Sequence, residues 1–496
     1  MESMLAAACR AWPAQPAFDL PEGRTIPFSL VAEVIDDIRA SLRSRGIARE
    51  HHVGLVAPIS PDVGLMSACL ISSAAAVHLQ PNMPAPELDS AISRIGLRAI
   101  VGPADASTIA RDAAARAGIP WLDLHPDPAS GRITLNGPAA GPPVPDRPAD
   151  PEDFSTIALT SGSTGRAKIV PRSHRNAVEM AQRSENLVPL PPGHRTTVLM
   201  PVHHYGWVLV LRSLHTGGRI ALPGDYDLKT LPGVLADHRP NWLFVNPSML
   251  DHLARIGPVN DALSFVQVSA SAMPAGLRER AETSLGVPVL NAYGSNEAGT
   301  IALQTPAGPN RAGEAGIPTV PLRIVDETGQ QLPAGQPGAI LVPAHDVFPG
   351  YIDDPLANAR AFTGDGWFRM GDRGVLDERG MLTVLGRNDD VINVGGAKID
   401  PLEVESVLLA HPYVAECAVF AVPHPEHGSA VAAAIVLAPG AAPEPRALRR
   451  WVLDRLIPHK APRSIVFVDA LPRTPNGKIR RAALTEQFSP HAPAEE

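Results

Sequence analysis

Leu159-Thr160-Ser161-Gly162-Ser163-Thr164-Gly165-Arg166-Ala167-Lys168 is the stretch that decides how this chain folds and what it holds. Hydroxyls, glycines and a lysine follow directly on the apolar Ile157 to Leu159, the order of a strand that runs into a phosphate-binding loop. Glycines let the backbone approach an anion and turn its N–H groups inward, hydroxyls add donors, and a lysine supplies positive charge. The spacing departs from Walker A, which sets four residues between its glycine and Gly-Lys-Ser/Thr, so a P-loop NTPase is disfavoured. Taken alone, the same residues also suit a flexible Ser/Gly linker.

Composition bounds the alternatives. At 496 residues the chain is too long for one ordinary core, so two or more domains are expected. Hydrophobic content of 45% against 19% charged residues fits a globular protein, and 53 prolines imply many punctuated loops. A net charge of −8 without a long basic run leaves no electrostatic footprint for nucleic acid. Cys9, Cys69 and Cys417 are odd in number and far apart, which fits a reducing compartment, the cytoplasm, without disulfides or a zinc cluster. The N-terminus lacks the basic and apolar regions of a signal peptide. Gly64 to Leu79 falls short of the roughly 18 residues of a membrane span and reads as a buried helix running into a strand, so no membrane anchor is expected.

Along the chain, Ser29 to Gly46 has helical spacing, while His52 to Pro58 and Ala74 to Leu79 are apolar strands, a βα alternation. Pro126 to Pro151, rich in Pro, Gly and Ala, reads as a loop. His174 and Asn176 suit helix capping. His203 and His204 are read on a strand, where neighbours face opposite sides and cannot share an ion, and a satisfied core histidine rivals any pocket role for His204. Trp207, Val208 and Arg212 begin a helix; Arg212 either meets a second substrate carboxylate or, the preferred reading, lies on a solvated or ion-paired face. Phe265 to Pro274 is a strand ending in small residues. In Asn291 to Glu297 the aromatic Tyr293 suits stacking on adenine, and the Glu297 carboxylate suits Mg²⁺, a hard cation that takes oxygen ligands. A hairpin is expected around Glu378-Arg379-Gly380 and a helix start at Pro401, and His424-Pro425-Glu426-His427 reads as an exposed loop.

In this order the motifs resemble those of the adenylate-forming superfamily: acyl-CoA synthetases, carrier-protein-loading adenylation domains and luciferases. The likeness covers nearly the whole chain. Val268-Ser269-Ala270-Ser271-Ala272 and Ile392 to Ile399 are most similar to small-acid acyl-CoA synthetases of the oxalyl-CoA type. The resemblance implies an α/β fold, with a large N-terminal AMP-binding domain of βα-layered sheets over residues 1–388 and a small mobile α+β domain over 389–496, hinged at Asp389. It implies ATP- and Mg²⁺-dependent conversion of a carboxylic acid to acyl-AMP, then transfer to coenzyme A. A carrier protein or an amine is the alternative acceptor, and an unusual oxyanion such as nitrite the alternative acid.

By the same resemblance, Thr160, Ser161, Gly162, Ser163, Thr164, Gly165 and Lys168 hold the β- and γ-phosphates, and Tyr293, Gly294 and Asn296 face the nucleotide. Glu297 carries Mg²⁺, Asp372 holds the ribose hydroxyls, Arg387 contacts ribose or phosphate, and His204 closes the carboxylate pocket. Lys478, on a tight turn at Asn476-Gly477, bridges carboxylate and α-phosphate, while Gly395 and Gly396 line the thiol's route. Two positions depart from the family pattern. Ile169 follows Lys168 where relatives carry glycine, and Asn296 puts an amide where they carry a hydroxyl, a donor of different reach. The Phe-Asp with which amino-acid-activating domains hold an α-ammonium is missing after Met200. A non-catalytic nucleotide-binding relative is the remaining reading, and retention of Lys168, Glu297, Asp372, Arg387 and Lys478 argues against it.

Overall fold

The computed structural model describes the chain except residues 161–166, 225, 228, 272, 275, 309, 312, 395–396, 426, 474–478 and 490–496 and the side chains of Asp389 and Lys398. Helix Phe28–Ser44 forms because Val31, Val34, Ile35, Ile38 and Leu42 recur at helical spacing and bury one face. The apolar run after Ser60 becomes helix Pro61–Ser73, capped by the Ser60 hydroxyl and buried from Val63 to Ser73. It crosses the protein core, and no helix among the described residues is long and apolar enough to cross a membrane.

Strands His52–Val56, Ala75–Leu79, Leu97–Pro103, Trp121–Pro126 and Phe154–Thr160 pair in parallel within a seven-stranded sheet. Antiparallel strands Ile133–Asn136 and Lys168–Ser173 close its two edges. The first of these corrects the expectation of an unbroken loop from Pro126 to Pro151. Ile133 and Leu135 alternate inward from exposed neighbours, a two-residue pattern too short to stand out among prolines and glycines.

A thirteen-stranded sheet carries the rest of the large domain. Strand Val289–Ser295 is where its pairing changes: it is parallel to Phe265–Val268 on one side and antiparallel to Gly299–Leu303 on the other. Strands Trp367–Leu376 and Leu382–Arg387 form the expected hairpin, with Gly380 in the left-handed region at φ 76°.

The smaller domain has its own apolar clusters, around Ile399, Val404, Val419 and Leu448 and around Phe420 and Leu484. Its strands Val414–His424, Gly428–Leu437 and Ser464–Phe467 form a sheet covered by helices Pro401–Leu409, Pro445–Leu453 and Arg481–Phe488. The buried Glu405 carboxylate accepts both oxygens' worth of hydrogen bonds from Arg481, at 2.8 and 3.0 Å, and Arg481 also reaches Asp390 at 3.0 Å. A charge this deep is tolerated because it is paired and hydrogen-bonded.

Several histidines are buried in the large domain. Burial pushes His78 down to about 3 and both His174 and His194 down to about 4, from an ordinary 6.5. The unfolded chain therefore takes up protons near its ordinary histidine value that the folded chain refuses, so stability present above about pH 6.5 is lost as pH falls toward 4. The midpoint of thermal unfolding should drop steadily between about pH 7 and 5; a constant midpoint across that window would contradict the burial.

Candidate active site

The hairpin of Phe154–Thr160 and Lys168–Ser173 ends on the pair Thr160↔Lys168, so both flanks of the glycine-rich loop are fixed by sheet hydrogen bonds. Ser161, Gly162, Ser163, Thr164 and Gly165 lie outside the described residues. Arg94, from helix Ala85–Ile95, donates to the Ala167 carbonyl at 2.8 Å and pins the loop's far end.

Lys168 extends over the ring of Tyr351, with Nζ 4.7 Å from the centroid. The Tyr351 hydroxyl donates to Glu297 Oε1 at 2.9 Å. Burial and the neighbouring Glu297 raise the Tyr351 hydroxyl far above its usual range, so it remains a proton donor. The backbone repeats the link: Phe348 N–H donates to the Glu297 carbonyl at 2.9 Å, and Ile352 N–H to the Ile169 carbonyl at 3.1 Å. Residues 348–352 thus tie the lysine's strand to the glutamate's segment. Sequence reading missed Tyr351, whose only local signal is an aromatic following Pro349-Gly350.

A second cluster forms across the hairpin, where Asp372 and Arg387 are register partners. The Tyr293 hydroxyl donates to Asp372 Oδ2 at 2.5 Å, and Arg387 Nη1 lies 3.5 Å from Oδ1. Burial, then Asp372, pushes the Tyr293 hydroxyl well above its ordinary value. Tyr293 was expected to offer its ring to adenine; its hydroxyl also holds Asp372. At Gly294 a Cβ would meet the Gly299 carbonyl oxygen at 2.0 Å, so only glycine lets these two strands approach. In the loop after Phe265–Val268, Ala270 stands at φ 81°, a left-handed conformation costing a non-glycine residue about 1 kcal/mol.

His203 and His204 lie not on a strand but on a π-helical turn, Val202–Gly206, that leads into helix Trp207–His215. Their rings are 4.4 Å apart between centroids, so the argument from opposite strand faces does not hold. His203 Nδ1 meets the Ala57 carbonyl at 3.3 Å. His204 Nε2 is buried with no hydrogen-bond partner among the described residues, and burial lowers this imidazole to about 4. It is a neutral ring at physiological pH with Nε2 unspent, as is Nε2 of the buried His194.

Arg212 is ion-paired, as the preferred reading allowed, but buried rather than solvated. It is 3% exposed, lies 3.6 Å from Glu185, donates to the Val188 carbonyl at 2.8 Å and stacks on Trp242. Capping falls to Ser173 and Asn176, which form a reciprocal capping box for helix His174–Leu187. Asn296 turns toward Arg172, which donates to its carbonyl oxygen and to Oδ1. Asp389 sits in the short turn Asn388–Asp390. Lys478, Gly395 and Gly396 lie outside the described residues, and antiparallel strands Ile392–Val394 and Ala397–Ile399 flank the two glycines.

Comparisons with known proteins match both parts of the chain. The family described as AMP-binding enzyme matches residues 5–352, and that described as AMP-binding enzyme C-terminal domain matches residues 403–478. An oxalate–CoA ligase of Saccharomyces cerevisiae is 32% identical over 345 residues, covering 68% of this chain and 64% of that protein. A sulfoacetate–CoA ligase of Cupriavidus necator is 28% identical over 499 residues, 98% of this chain and 97% of the relative. The crystal structure of ATP-bound MatB from Rhodopseudomonas palustris aligns with a TM-score of 0.89 at 25% identity, over 98% of this chain and 99% of that one. The chain belongs to the family of AMP-binding enzymes and carries that family's C-terminal domain.

Proposed function

We propose that this enzyme joins a small, polar carboxylic acid to the α-phosphate of ATP, releasing pyrophosphate, and then passes the acyl group to coenzyme A: an AMP-forming acid:CoA ligase. The observation that carries the reading is the contact run from Lys168 through Tyr351 to Glu297, with Tyr293, Asp372 and Arg387 joined at the other end of the same segment. Relatives that act on oxalate and sulfoacetate support a small polar acid.

Bringing two anions together demands charge cancellation and alignment. On this reading the loop from Thr160 to Lys168 takes the β- and γ-phosphates, and Lys478 bridges the attacking carboxylate and the α-phosphate. Asp372, steadied by Tyr293 and Arg387, accepts from the vicinal ribose hydroxyls. The Glu297 side chain fits Mg²⁺, because its carboxylate offers hard oxygen and the Tyr351 hydroxyl, a neutral donor, engages Oε1. When bound, Mg²⁺ neutralises triphosphate charge. Neutral His204 covers the carboxylate pocket without adding a competing charge.

Acyl-AMP is a mixed anhydride that water destroys, so the site should stay closed until a thiol arrives. We place the domain boundary between 388 and 389, with Asp389 as the hinge that exchanges the Lys478 arm for the Gly395-Gly396 loop. Three buried, unpaired cysteines support a reducing compartment, the cytoplasm.

The test is release of AMP and pyrophosphate from Mg-ATP with short, dicarboxylic, sulfonated, aromatic and fatty acids and with nitrite, each with and without coenzyme A. Turnover should require both acid and coenzyme A. Release indifferent to coenzyme A would assign a carrier protein or an amine as acceptor, and no turnover with any acid would favour a non-catalytic binding protein. Lys478→Ala should lose adenylation yet still form thioester from supplied acyl-AMP; equal loss of both steps would overturn the division of labour. Tyr351→Phe keeps the ring under Lys168 but strips the donor from Glu297, a loss on the order of 1–3 kcal/mol. It should show as a roughly tenfold lower rate and a raised Mg²⁺ requirement in pyrophosphate release.

A further inference from the structure

Arg172, on strand Lys168–Ser173, is one of the largest fully buried side chains of the protein. Its neighbours in sequence, Ile169, Val170 and Pro171, are buried too, and an apolar residue would satisfy the packing of such a strand. Burial lowers the guanidinium only to about 10, so it stays charged. A buried charge is ordinarily paired with an opposite one. Here the hydrogen-bond partners are neutral. Nε and Nη2 donate to the Asn296 carbonyl at 2.9 and 2.5 Å, and Nη2 also donates to Asn296 Oδ1 at 3.2 Å. Nη1 has no hydrogen-bond partner among the described residues, and the guanidinium lies 5.1 Å over the Trp207 ring. At 1% exposure it presents no surface that a substrate can touch.

The consequence falls on Asn296. A guanidinium is donor-only, so the amide must turn its oxygen inward to meet it, and the NH₂ group of the same amide then points away. That Nδ2 has no hydrogen-bond partner among the described residues, and Asn296 is half-buried between Ser295 and Glu297, on the segment that also carries Tyr293. We infer that Arg172 is a positioning residue for acid activation: it locks the Asn296 amide with its two N–H donors facing the reacting anions. The inference rests on the reading above, in which the Tyr293–Glu297 segment faces the nucleotide. Asn296 then keeps a donor at the position where relatives carry a hydroxyl, and Arg172, on the edge strand of the other sheet, fixes which end of the amide is offered.

Asn296→Asp separates the two faces of this residue. The carboxylate still accepts from Arg172, now as a charged pair that neutralises it, but offers an acceptor where the amide offered donors. In the full-length protein its thermal midpoint should hold or rise, while kcat for acid-dependent pyrophosphate release falls at least tenfold and KM for the acid moves less. Wild-type kcat in Asn296→Asp would overturn the proposal. A two-by-two cycle of Arg172→Lys and Asn296→Ala adds the positioning readout. Arg172→Lys should lower kcat in the native background and have little further effect once Asn296 is alanine; additive losses would show that Arg172 acts by another route. If Arg172→Lys does not fold, Asn296→Asp alone decides. Absence of turnover by the wild-type enzyme with every acid would instead reject the ligase reading itself, so the two failures are distinguishable.

Discussion

The hold of residues 348–352 on two separate backbones is the constraint on which the site depends. Phe348 reaches the Glu297 carbonyl and Ile352 the Ile169 carbonyl, so the strand bearing Lys168 and the segment bearing Glu297 are spaced by a third piece of chain in addition to the direct contact of Arg172 with Asn296. That piece is anchored by packing. Phe348 is 1% exposed, meets Phe368 edge to face at 5.5 Å and Tyr351 at 4.7 Å, and sits in an apolar cluster with Ile301, Ile340 and Leu382. Aromatic edges locate a ring more sharply than aliphatic contacts do. The distance between a lysine and a glutamate is thus set by the hydrophobic interior behind them.

Charge is managed by the same economy. Charged side chains around the Tyr293–Glu297 segment take neutral hydrogen-bond partners: Glu297 accepts from Tyr351, Asp372 accepts from Tyr293, and Arg172 donates to Asn296 and lies over an indole face. Hydrogen bonds from neutral groups orient a carboxylate without cancelling its charge. The histidines beside them are held neutral by burial. Glu297 is thus oriented by a neutral hydroxyl, and Asp372 by a hydroxyl with Arg387 3.5 Å away, in contrast to Glu405 and Arg481 of the smaller domain, which pair directly.

Much of this was legible in the sequence where the signal is local. Helix Phe28–Ser44, the buried helix after Ser60 and the hairpin around Gly380 follow from periodicity, a capping residue and a glycine. What escaped was set by distant partners. The π-helical turn at His203 and His204 arises where a proline-led segment feeds a helix, and nothing in two adjacent histidines announces it. Tyr351 matters because a chain segment more than fifty residues earlier supplies its acceptor, and Arg172 because Asn296 lies 124 positions away. The oddity of Asn296 was visible as a departure from pattern, but its explanation required the facing strand.

Strand Val289–Ser295, parallel to one neighbour and antiparallel to the other, divides the large sheet into two kinds of wiring. On one side strands return through helical crossovers, which leaves long connections at their carboxyl ends, among them the loop with Ala270. On the other side hairpins such as Trp367–Leu376 with Leu382–Arg387 fix Asp372 against Arg387 by register. Sequence change in the long connections leaves that register untouched. A change in those connections can therefore reshape one face of the sheet while the pairing of Asp372 with Arg387 is held by the hairpin alone.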